Sequence, residues 1–306
     1  MPSLKQLAKR EEKFVSGHRL CAGCGEGIVA RMVTLAIDKP LIVCNATGCL
    51  EVASTIFPYS SWNVPWIHSA FENAAATISG VEAAYYSLKK QGKIDTDTVF
   101  LAFGGDGGTY DIGLQSLSGA AERGHKILYV CCNNQAYMNT GIQRSSATPK
   151  AASTSTSPAG KVIPGKAQFQ KDLASIMVAH NIPYVATSIP GRWNDLTGKV
   201  EKAVSFDGFT FIDVLTPCRL GWPHAPEQTM EISRLAADTC IWPLYEVVEG
   251  QYRLTYKPKE KKPVIEWFKI QRRFDHLLKP ANEALLASIQ QEVDRRWASL
   301  LQKSEG

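Results

Sequence analysis

Asp106 sits among five glycines in GGDGGTYDIG, residues 104–113. A strand-like run, TVFLAFGGDG, leads into it, and IGLQSLSGAAERG, apolar at helical spacing, leads away. A glycine-rich turn between a strand and a helix leaves backbone N–H groups free to face a phosphate. Such turns also join strands to helices where nothing binds. Asn134 follows Asp106 by 28 positions, at the end of the apolar run KILYVCCNN. One helix and one strand fill that gap, so two adjacent strand ends would present both side chains together. An Asp carboxylate, an Asn carbonyl oxygen and a nearby backbone carbonyl form the hard oxygen shell that Mg²⁺ takes when it shares a diphosphate.

Asn133-Asn134 alone would be an ordinary strand-end turn. Combined with the glycine-flanked acid, it resembles the diphosphate-binding motif of thiamine diphosphate enzymes. Four cysteines add a second kind of chemistry. CAGCGEG supplies Cys21 and Cys24 at C-x-x-C spacing, NATGC supplies Cys49 and LTPC supplies Cys218. Three of the four fall at strand ends or turns on what should be one rim of the sheet. Four thiolates suit a [4Fe–4S] cluster or a structural Zn²⁺, and spacing alone does not separate them. Location favours the cluster, because a cluster beside thiamine can take electrons from it. Cys44, Cys131, Cys132 and Cys240 lie in or near apolar runs and read as buried small hydrophobes.

The elements that must position these groups recur as short β-branched or aromatic runs: PLIVCNAT, TVFLAFGG, KILYVCCN, PYVATSI and FTFIDVLTP. Helical patterns fall between them over 71–90, 112–123, 169–180 and 195–205. Near-continuous apolar strands alternating with helices predict an α/β fold, a parallel sheet with helices on both faces. Residues 144–168 are rich in Ser, Thr, Pro and Ala. A stretch that long just after the third strand reads as an ordered lid or subunit-contact loop at the carboxyl edge. From about residue 241, YEVVEGQYRLTY predicts a hairpin turning at Glu249-Gly250, followed by amphipathic helices in VIEWFKIQRRFDHLL and ANEALLASIQQEVDRRWASLLQK. The expected organisation is an α/β domain over 1–240 and a C-terminal hairpin with helices over 241–306, packed on that domain or on a partner chain.

The 306 residues are 44% hydrophobic and 21% charged, with a net charge of +5. No basic block interleaved with aromatics suggests nucleic acid, and no apolar stretch is of membrane-spanning length. The charged N-terminus lacks the apolar centre of a secretory signal, so a cytoplasmic location is expected. Eight cysteines without an export signal argue against a disulfide framework.

GHRLCAGCGEG, NATGCLEV, WNVPWIHSAFENAAA, GGDGGTYDIGLQSLSGAAERGH and AYMNTGIQRS together resemble the β subunit of the pyruvate:ferredoxin oxidoreductases and, more broadly, the 2-oxoacid:ferredoxin oxidoreductases. The resemblance runs from about residue 17 to 302. It implies that Cys21, Cys24, Cys49 and Cys218 hold one [4Fe–4S] cluster, with Cys49 also beside the cofactor. Gly105, Asp106, Gly107 and Gly108 would cradle the diphosphate, and Asp106, Asn134 and the Ala136 carbonyl would ligate Mg²⁺. Glu26, Tyr137, Met138 and Asn139 would line thiamine diphosphate, with Asn139 donating to negative charge developing at the reacting carbon. The implied reaction is reversible oxidative decarboxylation of a 2-oxoacid, pyruvate first, to acyl-CoA and CO₂, with electrons leaving through the cluster to a ferredoxin or similar carrier. A partner subunit would supply the glutamate against the aminopyrimidine, and another would carry ferredoxin-like clusters.

Two departures from the family pattern bear on substrate. Relatives often read Asp-Asn-Glu where this chain has Asn133-Asn134-Gln135, and Asn where it has Ile142. A less negative site would accommodate a bulkier or more anionic acid such as oxalate, 2-oxoisovalerate or phenylglyoxylate. A non-redox thiamine decarboxylase or carboligase with structural zinc is the alternative enzyme, and a non-catalytic assembly subunit the alternative outside catalysis.

Overall fold

The computed structural model describes residues 3–305. Six strands run parallel: β1 (Leu41–Ala46), β2 (Trp66–Ser69), β3 (Val99–Gly105), β4 (Leu128–Asn133), β5 (Tyr184–Ser188) and β6 (Thr210–Leu215). A hairpin of β7 (Tyr245–Val248) and β8 (Gln251–Leu254) adds antiparallel to β5, giving the order β2-β1-β3-β4-β6-β5-β7-β8. The parallel α/β expectation holds, and the hairpin turns at Glu249-Gly250 as expected.

The near-continuous apolar strands follow from burial on both faces. β4 and β6 are buried at every position. On one face lie α2 (Gly25–Ala36) and α7 (Trp193–Ala203), packed together over Val43, Leu101, Phe103, Val130 and Ile212. Each such side chain contributes about 1.5–3 kcal/mol on full burial. The other face carries α4 (Ala74–Lys90), α5 (Leu114–Glu122) and α6 (Leu173–Val178). Short α1 (Leu4–Leu7) begins the described chain, and α3 (Cys49–Ser54) follows β1 directly. A third core gathers α8 (Thr229–Asp238), α9 (Ile265–Phe268) and the first half of α10 (Glu283–Glu305) around Trp222 and Trp267.

The structure departs from the sequence expectation in identifiable places. Periodicity missed α2, α8 and β2, and the helix expected over 169–180 shrinks to α6. The segment VIEWFKIQRRFDHLL is α9 and a 3-10 turn over Arg272–Leu278 rather than one helix. The glycine turn after Asp106 is itself helical: Gly107–Ile112 is a π-helical turn, wider than α, running into α5. Gly113 makes it possible, since a Cβ there would collide with the carbonyl of Gly108, five residues back.

Candidate active site

The pairing of β3 with β4 sets Gly105 opposite Cys132, so Asp106 and Asn134 emerge side by side. The connections leave β1 toward β2 on one side and β3 on the other, and a cleft opens at the carboxyl ends of β1, β3 and β4. That is where open α/β sheets bind ligands. The cleft is lined by Glu26, Asn45, Cys49, Gly105, Gly107, Gly108, Asn134, Ala136, Tyr137, Met138 and Asn139 among others. Ten of these were expected from the sequence.

Asp106 lies beneath the lining, fully buried. Its Oδ1 accepts the Asn134 N–H at 3.2 Å, and its Oδ2 accepts the Ser145 hydroxyl. Burial pushes its carboxyl up to about 7 against these hydrogen bonds. Asn134 Nδ2 donates to Glu26 Oε1 at 2.8 Å, which leaves Asn134 Oδ1 and Glu26 Oε2 buried without a partner. Two orphaned acceptors on one cleft wall call for a cation or donor. Burial also pushes Glu26 up to about 7.

The glycines give the cleft its depth. A Cβ at Gly107 would enter the Tyr137 ring, and one at Gly108 would lie 2.8 Å from the Phe71 carbonyl oxygen. At Gly105 no atom lies within 4 Å of an added Cβ, so that backbone faces open space. The asparagine carbonyl, the buried acid and the bare backbone are the kinds of groups that a metal-bound diphosphate takes.

The four cysteines reach one rim. Cys24 N–H donates to the Cys21 carbonyl at 3.0 Å, and Gly25 N–H to the Pro217 carbonyl at 3.1 Å, tying the C-x-x-C turn to the end of β6. Gly23 (φ 76°) packs on Pro226, leaving no room for a side chain. Gly221 N–H points at Cys218 Sγ, 3.3 Å away. Burial, then Glu26, then Cys218, Cys24 and Cys21 push the Cys49 thiol up, so the four sulfurs feel one another. Burial likewise raises Cys24 and Cys218. Among the described residues no three His, Cys, Asp or Glu side chains converge tightly enough for a single metal ion. Cys44, Cys131, Cys132 and Cys240 are buried, as expected of packing residues.

Both substitutions expected to tune the cleft turn away from it. Asn133 Nδ2 donates to Tyr110 Oη at 2.9 Å and Asp213 Oδ1 at 3.3 Å, and Gln135 Oε1 accepts from Arg273 at 2.6 Å. Neither side chain lines the cleft, which removes the direct argument for a more anionic substrate. Ile142, half-buried, sits at φ 65°, a conformation that asparagine adopts more readily than a β-branched residue.

Sequence reasoning missed Ser145, Asn45, Trp222 and Arg273. Asn45, four positions before Cys49 in CNATGC, was within reach of the motif. Ser145 lies in the expected lid, which is ordered and largely buried over 145–152. Trp222 Nε1–H donates to the Asn134 carbonyl at 2.8 Å across 88 residues, with no local signal. A larger cavity of about 410 Å³ lies between α6 and α10 and lacks the bare glycine backbone and orphaned acceptors of the cleft.

Residues 46–214 match the family described as thiamine pyrophosphate enzyme, C-terminal TPP binding domain. The sheet and cleft therefore define a thiamine pyrophosphate enzyme. The chain is 57% identical over 270 residues to pyruvate synthase subunit PorB of Methanocaldococcus jannaschii, covering 88% of this chain and 91% of that one. It is 50% identical to PorB of Thermotoga maritima, covering 99% and 97%. The 2-oxoglutarate:ferredoxin oxidoreductase of Magnetococcus marinus shares the fold, with TM-score 0.56 and 18% identity over 76% of this chain and 84% of that one. The chain belongs to the pyruvate synthase β-subunit family of 2-oxoacid:ferredoxin oxidoreductases.

Proposed function

We propose that this chain is the thiamine diphosphate-binding subunit of an oxidoreductase that converts pyruvate and coenzyme A reversibly to acetyl-CoA and CO₂. Cys21, Cys24, Cys49 and Cys218 would hold a [4Fe–4S] cluster, which would supply one-electron transfer toward a ferredoxin-type carrier. The carrying observation is Cys49, which lines the thiamine cleft and belongs to the cysteine group. Electron transfer needs ligating sulfurs beside the cofactor, a position that a structural zinc does not require. Pyruvate as substrate rests on the PorB relatives, and a ketoisovalerate oxidoreductase subunit of Pyrococcus abyssi, 40% identical, keeps branched 2-oxoacids in the test.

Bound thiamine diphosphate supplies the carbon nucleophile and electron sink that 2-oxoacid decarboxylation requires. The chain's own residues bind, orient and exclude water. Asp106, Asn134 and the Ala136 carbonyl would hold Mg²⁺, with Asn134 kept in its rotamer by Glu26. Burial pushes the Glu26 carboxyl up to about 7, so it can take or give a proton through its unpartnered Oε2 close to neutral pH. Asn139 at the cleft wall would donate to developing negative charge. The Gly221 N–H beside Cys218 would stabilise charge on a ligating thiolate. A partner subunit supplies the glutamate facing the aminopyrimidine, so activity needs the assembled enzyme, in the cytoplasm. Among the described residues no helix is long and apolar enough to cross a membrane.

The test is iron, acid-labile sulfide and zinc on protein purified without oxygen, then turnover with partner subunits on pyruvate, oxalate, 2-oxoisovalerate and phenylglyoxylate. About four irons and four sulfides per chain, as a [4Fe–4S] cluster requires, with turnover of pyruvate, support the proposal. Stoichiometric zinc without sulfide removes the redox function.

A further inference from the structure

Arg273 carries a charge that nothing in the thiamine chemistry uses so far. It comes from the 3-10 turn near the C-terminus, 138 positions after Gln135, and is only 5% exposed. Its Nη2 donates to Gln135 Oε1 at 2.6 Å and to Gln271 Oε1 at 2.8 Å, and its Nε donates to Gln271 Oε1 at 3.0 Å. Its Cζ stands 4.1 Å from the centre of the Trp222 ring and 4.9 Å from that of Phe274. All its partners are neutral. Among the described residues no carboxylate lies within ion-pair distance of it.

A guanidinium stays charged in a protein, and burying one without a counter-charge costs several kcal/mol. A fold keeps such a group at that cost where its field is used. The titratable groups whose charge Arg273 feels are Cys218, of the cysteine group, and Asp106, beneath the cleft lining. The link to the cleft is also mechanical. Trp222, stacked under the guanidinium, holds the Asn134 carbonyl, and Gln135, fixed at φ 67°, follows Asn134 in the chain.

We infer that Arg273 is a buried fixed cation of the cofactor site. It acts through space on the anionic diphosphate, and a neutral glutamine, in place of a carboxylate, leaves its charge unspent. The inference rests on thiamine diphosphate occupying this cleft. It identifies Arg273 as a positioning residue whose effect scales with ligand charge.

Gln135→Glu separates charge from shape, because it keeps the bond to Arg273 and neutralises the guanidinium in place. Binding of thiamine diphosphate and of thiamine monophosphate, each with Mg²⁺, would be measured by calorimetry on the assembled enzyme. The expected result is about tenfold weaker diphosphate binding, with a smaller loss for the monophosphate, so that the ratio of the two affinities shrinks. Arg273→Gln should narrow that ratio at least as far. If it fails to fold, Gln135→Glu still decides. An unchanged ratio in Gln135→Glu overturns the inference, including the case of equal losses for both ligands, which marks a merely structural role. Failure of the wild-type enzyme to bind thiamine diphosphate would instead remove the assigned cofactor.

Discussion

Replacing Asp106 with asparagine should stabilise the cofactor-free chain while destroying its site. The native carboxylate is fully buried, and burial raises it to about 7 from an ordinary 3.8. Between those values the folded chain holds a proton that the unfolded chain has released. Stability from this group is therefore fully present below about pH 4 and is lost as pH rises through 7. At 1.36 kcal/mol per pH unit, the difference reaches about 4 kcal/mol at pH 8. The substituted asparagine carries no charge to bury. The Ser145 hydroxyl, which loses an acceptor oxygen, has Thr148 Oγ1 at 3.3 Å as an alternative partner. Asp106→Asn should thus raise the melting temperature of the apo chain at pH 8 by about 4–8 °C, taking roughly 2 °C per kcal/mol for a chain of this size. The advantage should shrink as pH falls and vanish near 4. The assay is thermal melting followed by circular dichroism from pH 4.5 to 8 without Mg²⁺, with Mg²⁺-dependent thiamine diphosphate binding measured in parallel. A variant melting no higher than wild type at pH 8 would refute the reasoning, because it would mean that the ionised acid is already compensated inside the apo fold.

Gly105→Ala should leave the melting temperature unchanged yet weaken thiamine diphosphate binding at least tenfold by calorimetry, since its methyl meets only the cleft. Gly107→Ala should instead lose about 1–3 kcal/mol in denaturant unfolding as well, because its Cβ enters the Tyr137 ring. Ile142→Asn should gain roughly 1 kcal/mol in urea unfolding by relieving a β-branched residue at φ 65°. Asn133→Asp sets a second carboxyl beside Asp213, itself raised to about 7 by burial. It should cost on the order of 2 kcal/mol at pH 8 and little below pH 5, since like charges push both carboxyls up and stability is lost as they ionise.

The amino-acid sequence by itself determined the parallel α/β fold, the pairing of Asp106 with Asn134 and the burial of Cys44, Cys131, Cys132 and Cys240. Those features rest on local periodicity and on spacing across one β-α-β unit, which the chain writes in consecutive residues. The π-helical form of Gly107–Ile112 was not legible, because its cause is Gly113 closing on the Gly108 carbonyl rather than a hydrophobic repeat. Nor was the irrelevance of Asn133 and Gln135 to the cleft wall. Composition shows that an acid has become an amide, whereas backbone direction decides which way the amide points. Ser145 on Asp106, Trp222 on the Asn134 carbonyl and Arg273 on Gln135 span 39, 88 and 138 positions. Contacts at those separations are set by how the cores close around Trp222 and the sheet edge, and only the tertiary structure brings that buried cation beside Gln135 and Trp222.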